Sequence, residues 1–171
     1  MRLTEDLEFA FDSPLGEAAA LAFVRDVEQS LASSHLLEGL EVSSGQPQLV
    51  RASLPVNTPL FGRRELPFVS ELHHTPTGAA LIPAPAASDG RGWAEVAGEA
   101  RVAPHGAGSH VSYALNLTIF LRLPEADRWG TRALTKMIEM TAGSVLRQLS
   151  ERLKGSVEEA ARRQVAAVRS E

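Results

Sequence analysis

The sequence predicts an α+β fold in which an antiparallel, curved sheet of about six to seven strands is covered by one long C-terminal helix. Three observations predict it. Between Thr131 and Lys154, the residues Leu134, Ile138, Thr141, Ala142, Val145, Leu149 and Leu153 fall on one side of a helical wheel, with Met137 and Leu146 beside them. Lys136, Glu139, Gly143, Arg147, Ser150 and Lys154 fall opposite, so the apolar stripe is wide enough to cover a sheet and too wide for a two-stranded coiled-coil seam. Most of the chain before this helix alternates with the period of two that belongs to strands. Short turn sequences connect the alternating runs.

Residues 2–11 form the first strand, with Leu3, Leu7, Phe9 and Phe11 on one face and Glu5 as the one misfit there. Ser13 and Pro14 then make a helix start, an N-cap followed by the proline that suits the first helical position. One Ala-rich helix is expected to follow up to Leu31, with Ala20, Phe23, Val24, Val27 and Leu31 as its narrow apolar face. Residues 36–43 and 48–56 pair as a hairpin around Ser44-Gly45-Gln46-Pro47. Glu38 falls on the inner side of the first of these strands. Pro55 and Pro59 cannot donate to a ladder, which puts the second strand near a sheet edge or ends it early.

Residues 65–75 carry Leu66, Phe68, Ser70 and Leu72 inward, and after Thr75-Pro76-Thr77-Gly78 a short apolar strand covers 79–83. Residues 83–92, rich in Pro, Ala and Gly, read as a mobile loop. In 93–103 the inward residues Ala94, Val96, Gly98, Ala100 and Val102 are small, as suits a place where a helix or a ligand packs close. Residues 109–123 are the best strand, with Val111, Tyr113, Leu115, Leu117, Ile119, Leu121 and Leu123 on one face and Phe120 an exception on the other. After the long helix, Gly155 interrupts the pattern at a cost of roughly 1 kcal/mol. Residues 156–170, with Val157, Ala161, Gln164, Val165 and Val168 as a weaker stripe, are expected to be frayed helix.

The chain of 171 residues is compatible with a single domain and long enough for a core. Net charge is −4; residues 1–86 hold 5 basic and 11 acidic side chains and the remainder 12 and 10. Nothing in that balance calls for a nucleic acid. The absence of cysteine removes disulfides, thiolate nucleophiles, zinc fingers and iron–sulfur ligation, and fits a cytoplasmic protein. The N-terminus lacks the apolar core of a signal peptide, and no run approaches the roughly 18 apolar residues of a spanning helix.

The order of elements resembles the START-like, or SRPBCC, superfamily, which includes polyketide cyclases and plant pathogenesis-related binding proteins. The segments that carry the resemblance are Leu3–Phe11, Pro14–Leu31, Ser109–Leu123 and Thr131–Lys154. It implies a helix-grip fold of a bacterial, functionally uncharacterised kind, with an apolar cavity between the sheet and the last helix for a lipid, a polyketide or another hydrophobic molecule. The chain departs from the pattern in two places: only Ser33–His35 remains for a second helix after the first strand, and the loop between the second and third strands is not glycine-rich.

On this reading the ligand-binding residues are Phe68, Leu72, Val96, Tyr113, Leu115, Leu117, Met137, Thr141 and Arg152. Tyr113, the one tyrosine, is either a core residue bonded to a backbone carbonyl or a polar handle at a cavity wall. Met137 is either plain filler or an adaptable pocket residue. Arg152 either snorkels to water, pairs with Glu38 or Glu5, or meets an anionic ligand group. His73-His74 face opposite ways in a strand, and His105 and His110 flank a turn, so no metal site is expected. No phosphate loop or nucleophile elbow is present and no cofactor is expected. A binding module for a hydrophobic small molecule ranks first. A protein–protein adaptor or homodimer subunit ranks second. A cyclase-like enzyme, for which Glu5, Glu38, Tyr113 and His74 are the inward acid–base candidates, ranks third.

Overall fold

The computed structural model describes residues 1–31, 37–58, 62–86, 90, 92–122 and 131–168. Within the last helix, side chains are described at 136, 143, 144, 147, 148 and 151–167. The strands are β1 (Arg2–Ser13), β2 (Glu38–Val42), β3 (Gln48–Thr58), β4 (Gly62–Thr75), β5 (Gly78–Ala84), β6 (Gly92–His105) and β7 (Gly108–Leu121). The helices are α1 (Glu17–Arg25), α2 (Val27–Leu31) and α3 (Thr131–Val168). One seven-stranded sheet has the order β1-β7-β6-β5-β4-β3-β2, antiparallel throughout. The long strand 108–121 therefore receives the first strand of the chain on one side, from Arg2 opposite Phe120 to Ser13 opposite Ser109.

Register decides which residues share a face. Leu7 and Phe9 are buried while Asp6, Glu8 and Ala10 between them are exposed. Phe120 lies on the outer face, where it stacks on Trp93 at 4.6 Å and carries the Arg2 guanidinium over its ring. β2 reaches only as far as Ser53 of β3, so Pro55 sits where that strand has become the sheet edge and its missing N–H leaves no ladder partner unmet. β5 is short, and its pairing with β6 ends at Leu81 opposite Gly98. Beyond that point Ser70 of β4 reaches across and donates to the Val96 carbonyl at 2.7 Å. The bond satisfies an acceptor that no ladder serves.

The pattern over Pro14–Leu31 points to one helix, but the chain forms two. Asp26 leaves the helical region (φ −89°, ψ 85°), and its Oδ1 accepts from the Gln29 N–H at 2.9 Å. This caps α2, so the second helix that the resemblance seeks is Val27–Leu31 rather than Ser33–His35, which lies outside the described residues. Ser13 ends β1 instead of capping a helix; its Oγ accepts from the Leu15 N–H at 3.2 Å, and Gly16 occupies the N-cap position.

The last helix also differs from expectation. α3 runs unbroken through Gly155 to Val168, and Val157, Ala160 and Ala161 are only 1%, 6% and 2% exposed. Burying Val157 alone is worth about 1.5–3 kcal/mol, more than the roughly 1 kcal/mol that a mid-helix glycine costs. The stretch expected to fray is thus docked. α3 touches β1 near one edge of the sheet, β3 near the other, and α2. The stripe from Leu134 to Leu149 lies outside the described side chains.

Two hydrophobic clusters result. One gathers the inner faces of β3 and β4 with Leu7, Leu117 and Ile119. The other packs α1 and Val157, Ala160 and Ala161 of α3 against Phe9, Ala100, Val102 and Val111. Leu31, Leu115 and Leu153 belong to the margins of both.

Candidate functional site

A cavity of about 130 Å³ lies where the two clusters meet. Its floor follows from cross-strand register. Leu7 of β1, Leu115 of β7, Gly98 of β6, Leu81 of β5 and Leu72 of β4 are successive partners in one row across the sheet. The adjacent row runs Phe9, Tyr113, Ala100 and Ala79. Large side chains stand at both ends of the first row with Gly98 between them, and in the second row Phe9 and Tyr113 give way to Ala100 and Ala79. The missing volume at the centre is the cavity. Val24, Val27, Ser30 and Leu31 from α1 and α2, with Leu153 and Val157 from α3, close it from above.

Gly98 has φ +145°, a conformation that L side chains rarely adopt. A Cβ there would also run into the Ala114 carbonyl oxygen and come within 2.7 Å of Leu115 Cα. Glycine at this point both allows the sheet its bend and keeps the floor open.

Among the described residues, those lining the space that carry polar side chains are Ser30, Glu99 and Tyr113. Ser30 Oγ donates to the Val27 carbonyl at 3.3 Å. Glu99 takes Arg101 as its ion partner at 2.6 Å, both on the outer face of β6. Tyr113 stacks on Phe9 with ring centroids 4.9 Å apart and planes 14° from parallel. Its hydroxyl is buried without a hydrogen-bond partner among the described residues. Burial pushes the phenol pKa above its ordinary value of 10.0, so the group stays neutral at any physiological pH. No Arg, Lys or His lines the cavity among the described residues.

Of the residues picked from the sequence, Phe68, Leu72, Val96, Tyr113, Leu115 and Leu117 line this cavity together. The side chains of Met137 and Thr141 lie outside the described residues. Arg152 is exposed and is not among the lining residues. The other acid–base candidates lie elsewhere. Glu38 pairs with Arg63 at the surface, His74 is exposed beside a polar cleft, and Glu5 is half-buried opposite Leu117 but not part of the lining. Only Tyr113 of the four reaches the cavity. His110 Nδ1 lies 2.7 Å from Asp12 Oδ1, and the His105 ring is 6.3 Å from that of His110. The described residues contain no cluster of three or more metal-binding side chains.

Sequence reasoning missed the closing residues of α2 and α3. Val27 and Leu31 were legible as an apolar face, and Val157 as the start of a stripe. What covers what, however, depends on the break at Asp26 and on the docking of the tail. No helix among the described residues is long and apolar enough to cross a membrane.

Residues 8–151 match the family model described as "Protein of unknown function (DUF3809)". Among solved structures, the chain is similar to a protein from Deinococcus radiodurans, at 18% identity and a TM-score of 0.56, over 94% of this chain and 97% of that one. It is also similar to the Zhui aromatase/cyclase from Streptomyces sp. R1128, at 16% identity and a TM-score of 0.54, over 96% and 98%. No curated protein matches it by sequence. At these identities the likeness is one of fold, and the fold is the α+β helix-grip of START-like proteins.

Proposed function

The chain belongs to the family described as Protein of unknown function (DUF3809), and from that premise and its helix-grip fold we propose that it binds a small apolar molecule between the sheet and α3. The observation that carries this reading is the apolar cavity of about 130 Å³, held open by Gly98, Ala100 and Ala79 and lined mostly by Leu, Val and Phe among the described residues. An engineered apolar cavity of about 150 Å³ stays dry and takes up benzene, so an empty space of this size and lining favours an apolar guest over water. Phe68, Leu72, Val96, Tyr113, Leu115 and Leu117 are the proposed contacts.

Native mass spectrometry of freshly purified protein, together with uptake of a polarity-sensitive dye, tests the reading. Bound small molecules, or dye fluorescence that Ala79→Leu abolishes, are expected. Protein that arrives empty and takes up no dye would overturn it.

A further inference from the structure

We propose that the Tyr113 hydroxyl is the one polar anchor of this cavity and selects a neutral ligand, about one ring in size, that presents a single hydrogen-bond acceptor. The inference rests on the binding reading above and narrows it to a chemical class.

The argument starts from what the hydroxyl lacks. Its oxygen is buried with no partner among the described residues, and buried polar groups are nearly always bonded. A buried water needs two to four polar partners, and the described lining residues offer it few. Among the described lining residues, the other polar side chains have partners of their own: Ser30 donates to the Val27 carbonyl and Glu99 pairs with Arg101. The ring is held by stacking on Phe9, so the hydroxyl is aimed by packing rather than by a hydrogen bond.

The chemistry of the lining then restricts the partner. A phenol is a strong donor and a weak acceptor, since its lone pair is shared with the ring, so the missing partner is an acceptor. A carboxylate or phosphate is disfavoured, because no cation among the described lining residues compensates its desolvation. Arg25, the cation of α1, donates its guanidinium to the Gly78 and Thr75 carbonyls at 3.1 and 2.6 Å. The raised pKa keeps the phenol in its donating form. Volume sets the size: about 130 Å³ is close to the space that holds one benzene.

The test uses three probes of eight carbons each, ethylbenzene, acetophenone and phenylacetate, titrated at neutral pH into wild-type protein and Tyr113→Phe. Ethylbenzene is expected to bind both proteins alike. Acetophenone is expected to lose about tenfold in affinity on Tyr113→Phe, the size of one hydrogen bond made in a buried site. Phenylacetate is expected to bind neither. The carbonyl stretch of acetophenone bound to wild type should shift to lower frequency, a readout that needs no variant. If ethylbenzene binds and acetophenone shows neither the tenfold loss nor the shifted stretch, the anchor is refuted while the cavity stands as a binding site. Binding of phenylacetate as tight as that of acetophenone refutes the restriction to neutral ligands. If neither ethylbenzene nor acetophenone binds wild type, the binding reading fails and this inference with it.

Discussion

Replacing Tyr113 by Phe removes one oxygen atom and leaves the stacked ring in place. In the unfolded chain that hydroxyl is bonded to water; in the empty folded protein it is buried with no partner among the described residues. Burying a hydroxyl without a compensating bond costs about 1–3 kcal/mol. The substitution should therefore stabilise the empty protein, by about 1–2 kcal/mol once the slight relaxation around the cavity is allowed for. For a chain of this length each kcal/mol moves Tm by about 2–4 °C, so an increase of about 2–8 °C is expected. Ligand-stripped protein unfolded by urea, with circular dichroism as the probe, gives the same quantity as a shifted midpoint at unchanged slope. A second signature lies at high pH. The phenol pKa is raised in the folded state above its ordinary 10.0, so above pH 10 the unfolded chain releases a proton that the folded chain keeps. The pH-linked cost of this group is absent below pH 10 and grows as pH rises beyond it, so stability declines there. Tyr113 is the sole tyrosine, and Tyr113→Phe should lose that part of the decline. A variant less stable than wild type by 0.5 kcal/mol or more would mean that the hydroxyl has a partner in the folded protein, and the reasoning about its role would fall.

Three further outcomes are expected. Ser70→Ala leaves the Val96 carbonyl without its donor in a site where Ser70 is fully buried, at a cost of about 1–3 kcal/mol; a neutral result in chemical unfolding would show that β5 or water serves that carbonyl. Asp26→Ala removes the cap on the Gln29 N–H and should cost about 1 kcal/mol, whereas a stabilised variant would indicate that α1 and α2 prefer to fuse. Deletion of residues 156–171 exposes what Val157, Ala160 and Ala161 cover and should lower stability by about 3–5 kcal/mol. A truncated protein that melts like the full chain would return the tail to the frayed state that its weak stripe suggests.

The cavity itself was only half visible in the chain. Six of its walls, from Phe68 to Leu117, follow from the inward positions of alternating strands, because a side chain's face in a strand is a matter of counting by two. The helical half was harder. Asp26, with Gln29 three residues on, is the local signature of a helix start, yet it sits inside an Ala-rich run whose periodicity continues across it. Periodicity alone hides such a break. The tail read as weak for a related reason: Gly155 and a stripe interrupted by Ala161 and Gln164 look weak in isolation, and only what lies underneath turns small residues such as Ala160 and Ala161 into close contacts.

By itself, the sequence determined the strands, their inward faces, the presence of a long final helix and the order that makes a helix-grip fold, since each of these rests on spacing between near neighbours. Only the tertiary structure decided that Gly98 would stand between Leu115 and Leu81, that Ala100 and Ala79 would lie beside it, and that the Tyr113 hydroxyl would have no partner among the described residues. Among the described residues, the cavity draws on six strands and three helices far apart in the chain. An empty space belongs to no single segment, because it is made of what the neighbours of small residues fail to fill.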